Sequence, residues 1–372
     1  MPLSRKIWAG LDLGDDFTSI CVIDDVGTVL QQSQCPTRLE CIHQEIHWLR
    51  RRRFARVGLE ASSSFTLARG LQSRGYPVDI FETRQLSKFL AIRRNKTDAN
   101  DAQGIAEAMR LGGRLLSKVF LKSAECQALQ SRLTLRRHLI RQRVAMLNLL
   151  CRQIRQYGGD LKPPKTASHL RSRAEREIQR TFGKVSTPLV LELRYLLHHC
   201  EELMMHQRHL DRELASLARL NDVCRKFMEL PGVGTICSLA FYSAVGDPNR
   251  FKRATDVGSY FGLTPKVSQS GTITGPGRIS HMGNRVVRSL LNRAALTIMR
   301  SNGRECVLRD WALQVEKRRG RARARVALAR KLAVIMLAMW KRGENYRPEG
   351  LSLSPIVADA ALSARTAFVP IR

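Results

Sequence analysis

Acid is what this 372-residue chain has least of: 32 Asp and Glu stand against 63 Lys and Arg, a formal charge of +31. A balance of that sign makes a polyanion the expected partner. Nucleic acid fits better than a membrane surface, because the cations are mostly Arg and are spread over the whole length. Binding through phosphates should weaken steeply as salt rises. Cysteine pairs are also missing: the nine cysteines are scattered with no CxxC among them. That pattern predicts a reduced, cytosolic chain without structural zinc. His43 and His47, like His206 and His209, can share a helix face, but no Cys or carboxylate completes a zinc set around either pair. Long apolar runs are absent as well. Val326 to Trp340 is interrupted by Arg330 and Lys331 and is too short to span a bilayer. MPLSRKIWAG enters a strand at once, with no signal-peptide core expected. What is present is a 44% hydrophobic fraction, which excludes wholesale disorder and allows two or three domains with cores.

The first 120 residues alternate strand and helix signals. KIWAGLDLG, TSICVID and TVLQQSQC predict a three-stranded antiparallel meander. A helix over 37–53, a strand RVGLEAS, a helix SFTLARGLQSRG and a strand YPVDIFE follow, giving βββαβαβα. This is the order of the ribonuclease H-like fold, although several α/β folds share it. Residues 121–220 turn helical. Leu129, Leu133, Ile140, Val144, Leu147, Cys151 and Ile154 make one stripe, and no acid occurs between Cys126 and Gly159. After a Pro- and Arg-rich break, KPPKTASHLRSR, a second stripe runs through Leu189, Leu193, Leu196, Cys200, Leu203, Gln207, Leu210, Leu214 and Leu217. The two helices predict either an antiparallel coiled-coil arm or a helical bundle.

Residues 221–345 are expected to be mainly helical, and 346–372 a loose tail. FMELPGVGTICSLAFYSAV sets Gly232 and Gly234 in a tight turn between apolar helices. That is either a helix-hairpin-helix whose turn amides meet a phosphate or an ordinary αα-turn, which needs Gly too. A Gly-, Ser- and Thr-rich loop is expected over 264–278, with helices from Asn284 to Arg300 and Arg321 to Arg342. Arg321 and Arg323 lie in KRRGRARARVALARK, an acid-free face suited to tracking phosphates.

Against the general scarcity of acid, RRNKTDANDAQ sets Asp98 and Asp101 three apart. Thr97 is the expected N-cap, which makes Asp98 the first helical residue. A solvated pair complementing the helix dipole is the plain account of either alone. Their periodicity argues otherwise: Asp98, Asp101, Ile105 and Ala108 follow the stripe that should face a sheet. A carboxylate turned towards a core needs a compensating cation. Asp12 in WAGLDLG and Glu60 in VGLE end apolar strands that a meander-first sheet can set side by side. The four acids Asp12, Glu60, Asp98 and Asp101 therefore predict a site for magnesium or manganese.

Taken together, GLDLG, GLEAS, KTDANDA, GLTPKVSQSG and GRISHMGNRVVRSLL resemble the Piv invertase and insertion-sequence-110 family of transposases, over roughly residues 5 to 300. The resemblance implies a RuvC-like domain with the acidic tetrad, a coiled-coil arm used in assembly, and a C-terminal transposase domain. It also implies a serine nucleophile at the SG dipeptide, here Ser270 and Gly271, and homo-oligomers, dimers or tetramers. Donor and target DNA would be paired by a structured bridge RNA, and the protein would be cytoplasmic and nucleoid-associated in a bacterium. Many relatives carry Lys where this chain has His281. If that position meets a phosphate, contact would weaken above neutral pH unless Arg278 or Arg285 substitutes. Arg278, Arg285 and Arg288 are the cations placed to steady charge on a scissile phosphate.

Composition alone makes Ser270 an ordinary loop serine, since hydroxyls need a base or metal to become nucleophiles. Other readings compete. A metal-only nuclease or Holliday-junction resolvase would leave Ser270 structural. An actin-like ATPase shares a GLDLG-type phosphate loop but would need a second Gly-rich segment. A non-catalytic RNA-binding protein accounts for the charge but not for four placed carboxylates.

Overall fold

The computed structural model describes residues 6–52, 55–61, 65–92, 95–112, 116–162, 169–183, 187–270, 273–301 and 306–348. The side chains of 266–270 and 273–278 lie outside that description, as does most of the expected tail. The chain divides into two compact units, Met1–Ala124 and Glu125–Arg372.

In the first unit the predicted order holds. Strands β1 (Ile7–Leu13), β2 (Phe17–Ile23) and β3 (Val29–Pro36) form the antiparallel meander. β4 (Ala55–Glu60) and β5 (Val78–Phe81) add in parallel on the other side of β1, giving the sheet order β3-β2-β1-β4-β5. Alternation sorts the sheet's two faces. Ala9, Leu11, Ile20, Val22, Val57 and Leu59 enter a core with Ile42 and Ile46 of α1 (Leu39–Ile46) and with Ala68 and Leu71 of α2 (Phe65–Ser73). On the opposite face, α3 (Thr83–Leu90) and α4 (Asp98–Gly112) pack, with Ile105 and Ala108 fully buried. The His43 Nδ1 lies 2.8 Å from the Tyr76 hydroxyl.

The second unit opens with α5 (Ala124–Gln156) and α7 (Pro188–Leu220), 33 residues each. They run antiparallel. Leu129 packs near Leu214 and Ala218, whereas Leu147, Leu150 and Ile154 meet Val190, Leu193 and Leu197. Two sequence expectations are corrected here. The Pro- and Arg-rich break contains a helix, α6 (Leu170–Phe182), whose Leu170, Ala174 and Ile178 join the same core. The buried stripe of α7 is Val190, Leu193, Leu197, Cys200, Met204, Leu214 and Ala218, turned about one residue from the expected one, and Leu217 is exposed. Leu189 and Leu196 also pack, partly covered, against the core that α6 joins, so α7 meets it over a face wider than a single stripe.

Beyond α7, α8 (Asp222–Phe227), α9 (Thr235–Val245), α10 (Asp256–Tyr260), α11 (Arg285–Arg300), α12 (Val307–Arg319) and α13 (Arg321–Arg342) enclose one core. α13 supplies most of its centre through Leu328, Leu332, Met336 and Leu337. α12 was not anticipated. The expected loop over 264–278 is a two-stranded hairpin, β6 (Pro265–Ser270) and β7 (Ile273–Ile279). Its glycines and Pro276 hide the alternation that marks strands elsewhere. At the end of the described chain the Tyr346 amide donates to Glu229 (2.9 Å).

Candidate functional site

Two paired glycines make the carboxylate site. Gly10 of β1 stands opposite Gly58 of β4 in parallel register. A Cβ on Gly10 would lie 2.0 Å from the Ala102 carbonyl oxygen, and one on Gly58 would lie 2.6 Å from Met109 Sδ. α4 therefore rests directly on the backbone of these two strands. Side chains two residues on point to the same face. Asp12 and Glu60 thus share the α4 side of the sheet, at its carboxyl edge. Asp101 and Asp98 approach that edge from above. The Asp101 amide bonds the Thr97 carbonyl (2.8 Å), and the Asn100 amide bonds Thr97 Oγ1 (3.2 Å), so Thr97 starts the helix as expected.

The stripe is less buried at its acidic end than periodicity implies. Ile105 and Ala108 are sealed, Asp101 is half-buried and Asp98 exposed. The acids overhang the sheet edge instead of entering the core. Their charges still converge. Burial, then Asp101, Asp98 and Glu60 in turn, push the Asp12 carboxyl up to about 6, with Lys96 opposing them. Among the described residues, no three His, Cys, Asp or Glu side chains are gathered tightly enough to hold a metal as they stand. The donor set nonetheless fits a hard divalent cation, which takes a few carboxylates and completes its shell with water and phosphate oxygens. The mutual repulsion at Asp12 is what such a cation relieves. Lys96 was missed by sequence reasoning. Its position two residues before Asp98, in KTD, was the available signal.

Ser270 closes β6, paired with Ile273 across a two-residue connection that includes Gly271, outside the described residues. Arg278 lies in β7, its side chain likewise undescribed. The base of the hairpin is well defined. The Ser280 amide bonds the Thr264 carbonyl (2.9 Å). His281 follows at φ 56°, the left-handed region, at a cost of about 1 kcal/mol for a residue with a Cβ. His281 and Arg285 are exposed, but Arg288 is buried, and its Nη1 donates to the carbonyls of Phe261 and Met282, both at 2.8 Å.

The remaining expected cations spread over α13, where Arg321 and Arg323 are exposed at its first turn. Gly234 caps α9 without a side-chain acceptor, and its Cβ position faces open space. Gly232, at φ 74°, has a packing reason as well: a Cβ there would lie 2.7 Å from the Ala294 carbonyl oxygen of α11. The geometry is compatible with either meaning of that turn.

Comparison with known proteins matches two family profiles. Residues 9–158 match a DEDD-type transposase profile named for IS110, and residues 224–307 match the transposase IS116/IS110/IS902 family. The chain is 28% identical over 344 residues to the transposase for insertion sequence element IS1111A of Coxiella burnetii, covering 91% of this chain and 90% of that one. It is 29% identical to the putative transposase y4pF/y4sB of Sinorhizobium fredii, over 78% and 74% of the two chains. A probable family 20 transposase of Pseudomonas aeruginosa is 28% identical, over 78% and 86%. A DEDD-type domain implies a divalent metal, and no described helix is long and apolar enough to cross a membrane.

Proposed function

Since this chain belongs to the IS110 family of transposases, with DNA as its substrate, we propose that it cleaves and exchanges strands with a metal-binding carboxylate tetrad and a serine nucleophile, guided by a structured RNA. The observation that carries this reading is the convergence of Asp12, Glu60, Asp98 and Asp101 at one sheet edge in a chain of charge +31. So much like charge in one place has no structural use that the fold reveals. It suits magnesium or manganese, which would bind phosphate oxygens and neutralise charge developing on them.

In this mechanism Asp12, Glu60, Asp98 and Asp101 would hold the metal, and Lys96 offsets part of the charge around Asp12. The Ser270 hydroxyl attacks a DNA phosphate. A phosphorus–oxygen bond to serine forms, the bond to the departing strand breaks, and the serine proton leaves to solvent or the departing oxygen. The bond energy stays in the phosphoserine ester, so a second strand hydroxyl rejoins the DNA without an external energy source. His281, Arg285 and Arg278 stand in or beside the hairpin as phosphate ligands. The turn at Gly232 and Gly234, with Arg321 and Arg323, holds nucleic acid backbone, as do the acid-free outer residues of α5 such as Arg141 and Arg152. A homo-oligomer, dimer or tetramer, acting in the bacterial cytoplasm on nucleoid DNA completes the reading.

The test is a suicide DNA substrate incubated with full-length protein and any RNA that co-purifies, then denatured and resolved on a gel. Wild type should leave a protein–DNA adduct mapping to Ser270. Ser270→Ala should leave none, and Asp98→Asn should bind DNA yet cut nothing. Cleavage by Ser270→Ala without an adduct would replace this reading with a metal-only resolvase. Site-specific recombination by RNase-treated protein would remove the guide RNA.

A further inference from the structure

We propose that Arg288 is a positioning residue for strand cleavage: its buried guanidinium ties the two stems of the β6–β7 hairpin together and so fixes where Ser270 is presented. The positioning claim rests on the serine reading above; the clamp itself is a matter of geometry. Phe261 lies four residues before β6 begins, and Met282 three after β7 ends. A single atom, Arg288 Nη1, donates to the carbonyls of both, at 2.8 Å each. Arg288 is only 7% exposed. The charges that act on it come from Arg285 rather than from a carboxylate, and burial with that neighbour pulls its pKa down. With no carboxylate paired to it among the described residues, its hydrogen bonds to the two stems are what offset the cost of burying the guanidinium.

The stems also touch backbone to backbone. A Cβ on Gly262 would lie 2.3 Å from the Met282 carbonyl oxygen, and one on Gly283 would lie 1.9 Å from that of Tyr260. Both glycines have positive φ, 65° and 72°, and His281 between the strand and Gly283 is left-handed too. The incoming stem is held by its own contacts. Phe261 is fully buried, the Leu263 amide bonds the Gly258 carbonyl (2.8 Å), and the Tyr260 hydroxyl reaches the Ala244 carbonyl (3.1 Å). The outgoing stem has no comparable core: His281, Met282 and Gly283 are all exposed. Arg288, anchored one turn into α11 behind the Asn284 cap, is what joins the exposed stem to the fixed one. Its committed nitrogen and low exposure argue against a phosphate contact, which separates it from Arg285 on the same helix.

The experiment uses full-length Arg288→Lys and Arg288→Met beside wild type. Amide hydrogen exchange is followed over residues 259–264 and 279–284. Adduct formation is timed on the suicide substrate, and DNA affinity is measured across a salt series. The expected result is faster exchange at the hairpin base and slower adduct formation, each by roughly tenfold, as loss of a charge-assisted pair of bonds allows. DNA affinity and its salt slope should stay at wild-type values. A slope smaller by about one would make Arg288 a phosphate ligand and overturn the proposal, as would unchanged exchange. Failure of both variants to fold would also overturn it, because Arg288 would then serve the whole core. If Ser270→Ala cuts normally, the serine reading fails and the positioning claim falls with it. Faster exchange at the hairpin base would still identify the clamp, so the two failures are told apart.

Discussion

α4 and the β6–β7 hairpin both carry residues the proposed chemistry needs, and both are seated by glycines that let backbone meet backbone. They differ in what stands behind the contact. Under α4, Gly10 and Gly58 form a flat seat, and Ala102, Ile105, Ala106 and Ala108 seal the helix onto a five-stranded sheet. Behind the hairpin, among the described residues, stands the joint of Gly262, Gly283 and Arg288. Asp98 and Asp101 are thus placed by a core, and Ser270 by a hinge-like base. Each region carries its cost at the functional end, as carboxylate repulsion in one and a left-handed His281 in the other. A core can hold repelling charges in place. A joint tied by one buried guanidinium can be loosened without disturbing the rest of its domain.

Alanine at the glycines breaks the comparison most forcefully. Gly10→Ala drives a Cβ against the Ala102 carbonyl, a backbone atom that cannot step aside. The expected loss is above about 3 kcal/mol, with the first unit failing to fold at 37 °C. Gly58→Ala meets only the flexible Met109 side chain and should cost about 1–2 kcal/mol. Gly283→Ala, blocked by the Tyr260 carbonyl, should speed exchange only around the hairpin and leave the first unit intact. Hydrogen exchange mapped over the whole chain reads all three. Equal losses for Gly10→Ala and Gly58→Ala would show that α4 does not rest on the strands as described.

A smaller effect comes from the strand beside that seat. Asp79 of β5 pairs with Gly58 in the ladder and binds Arg56 (2.7 and 2.8 Å) and Lys118 (3.0 Å). Burial raises its pKa, but the hydrogen bonds and charges of Arg56 and Lys118 outweigh burial, and the carboxyl sits below its ordinary range. A depressed folded pKa gives stability that is complete above the unfolded value, near 3.9, and is lost as pH falls through the folded one. Both cations are nearly half exposed, so solvent screening holds the contribution to about 1 kcal/mol. Asp79→Asn should cost about that much at pH 7 and progressively less below about pH 4. A constant penalty across that range would assign the loss to packing instead of charge.

The difference between the two regions also decides what sequence could reveal. The first unit was legible because its strands alternate cleanly and its acids interrupt apolar runs. The pattern alone sets Asp12 and Glu60 on neighbouring strands, and Thr97 marks the start of α4. The pairing of Gly10 with Gly58 was not legible, since register is a long-range property. In the second unit β-propensity is low over SQSGTITGPGR, so local composition reads as loop. α6 hid behind Pro163 and Pro164. The face of α7 shifted because a third helix, invisible to a two-helix pattern, shares it. Arg288 looked like one more basic residue beside Arg285; only burial separates them.

The smallest expected effect lies in the long helices, where neither kind of support applies. Their two apolar contacts are at opposite ends, Leu129 with Leu214 and Ala218, and Leu147 to Ile154 with Val190 to Met204. Between them no residue of α5 from 130 to 146 is buried, and Leu133 and Leu210 pack only partly covered against the first contact. That middle is bridged by two ion pairs, Arg132 with Glu213 and Arg136 with Asp211. Partly exposed pairs contribute about 0.5 kcal/mol each. Arg136→Gln should therefore leave the unfolding midpoint almost unmoved while exchange quickens locally over 133–146 and 203–213. A double-mutant cycle with Asp211→Asn should return a coupling of about that size, vanishing near 1 M salt as screening shortens to about 3 Å. A coupling above about 2 kcal/mol would mean that the helices are joined along their whole length. The middle would then be as firmly placed as α4, and the acid-free face of α5 would be a rigid platform for nucleic acid.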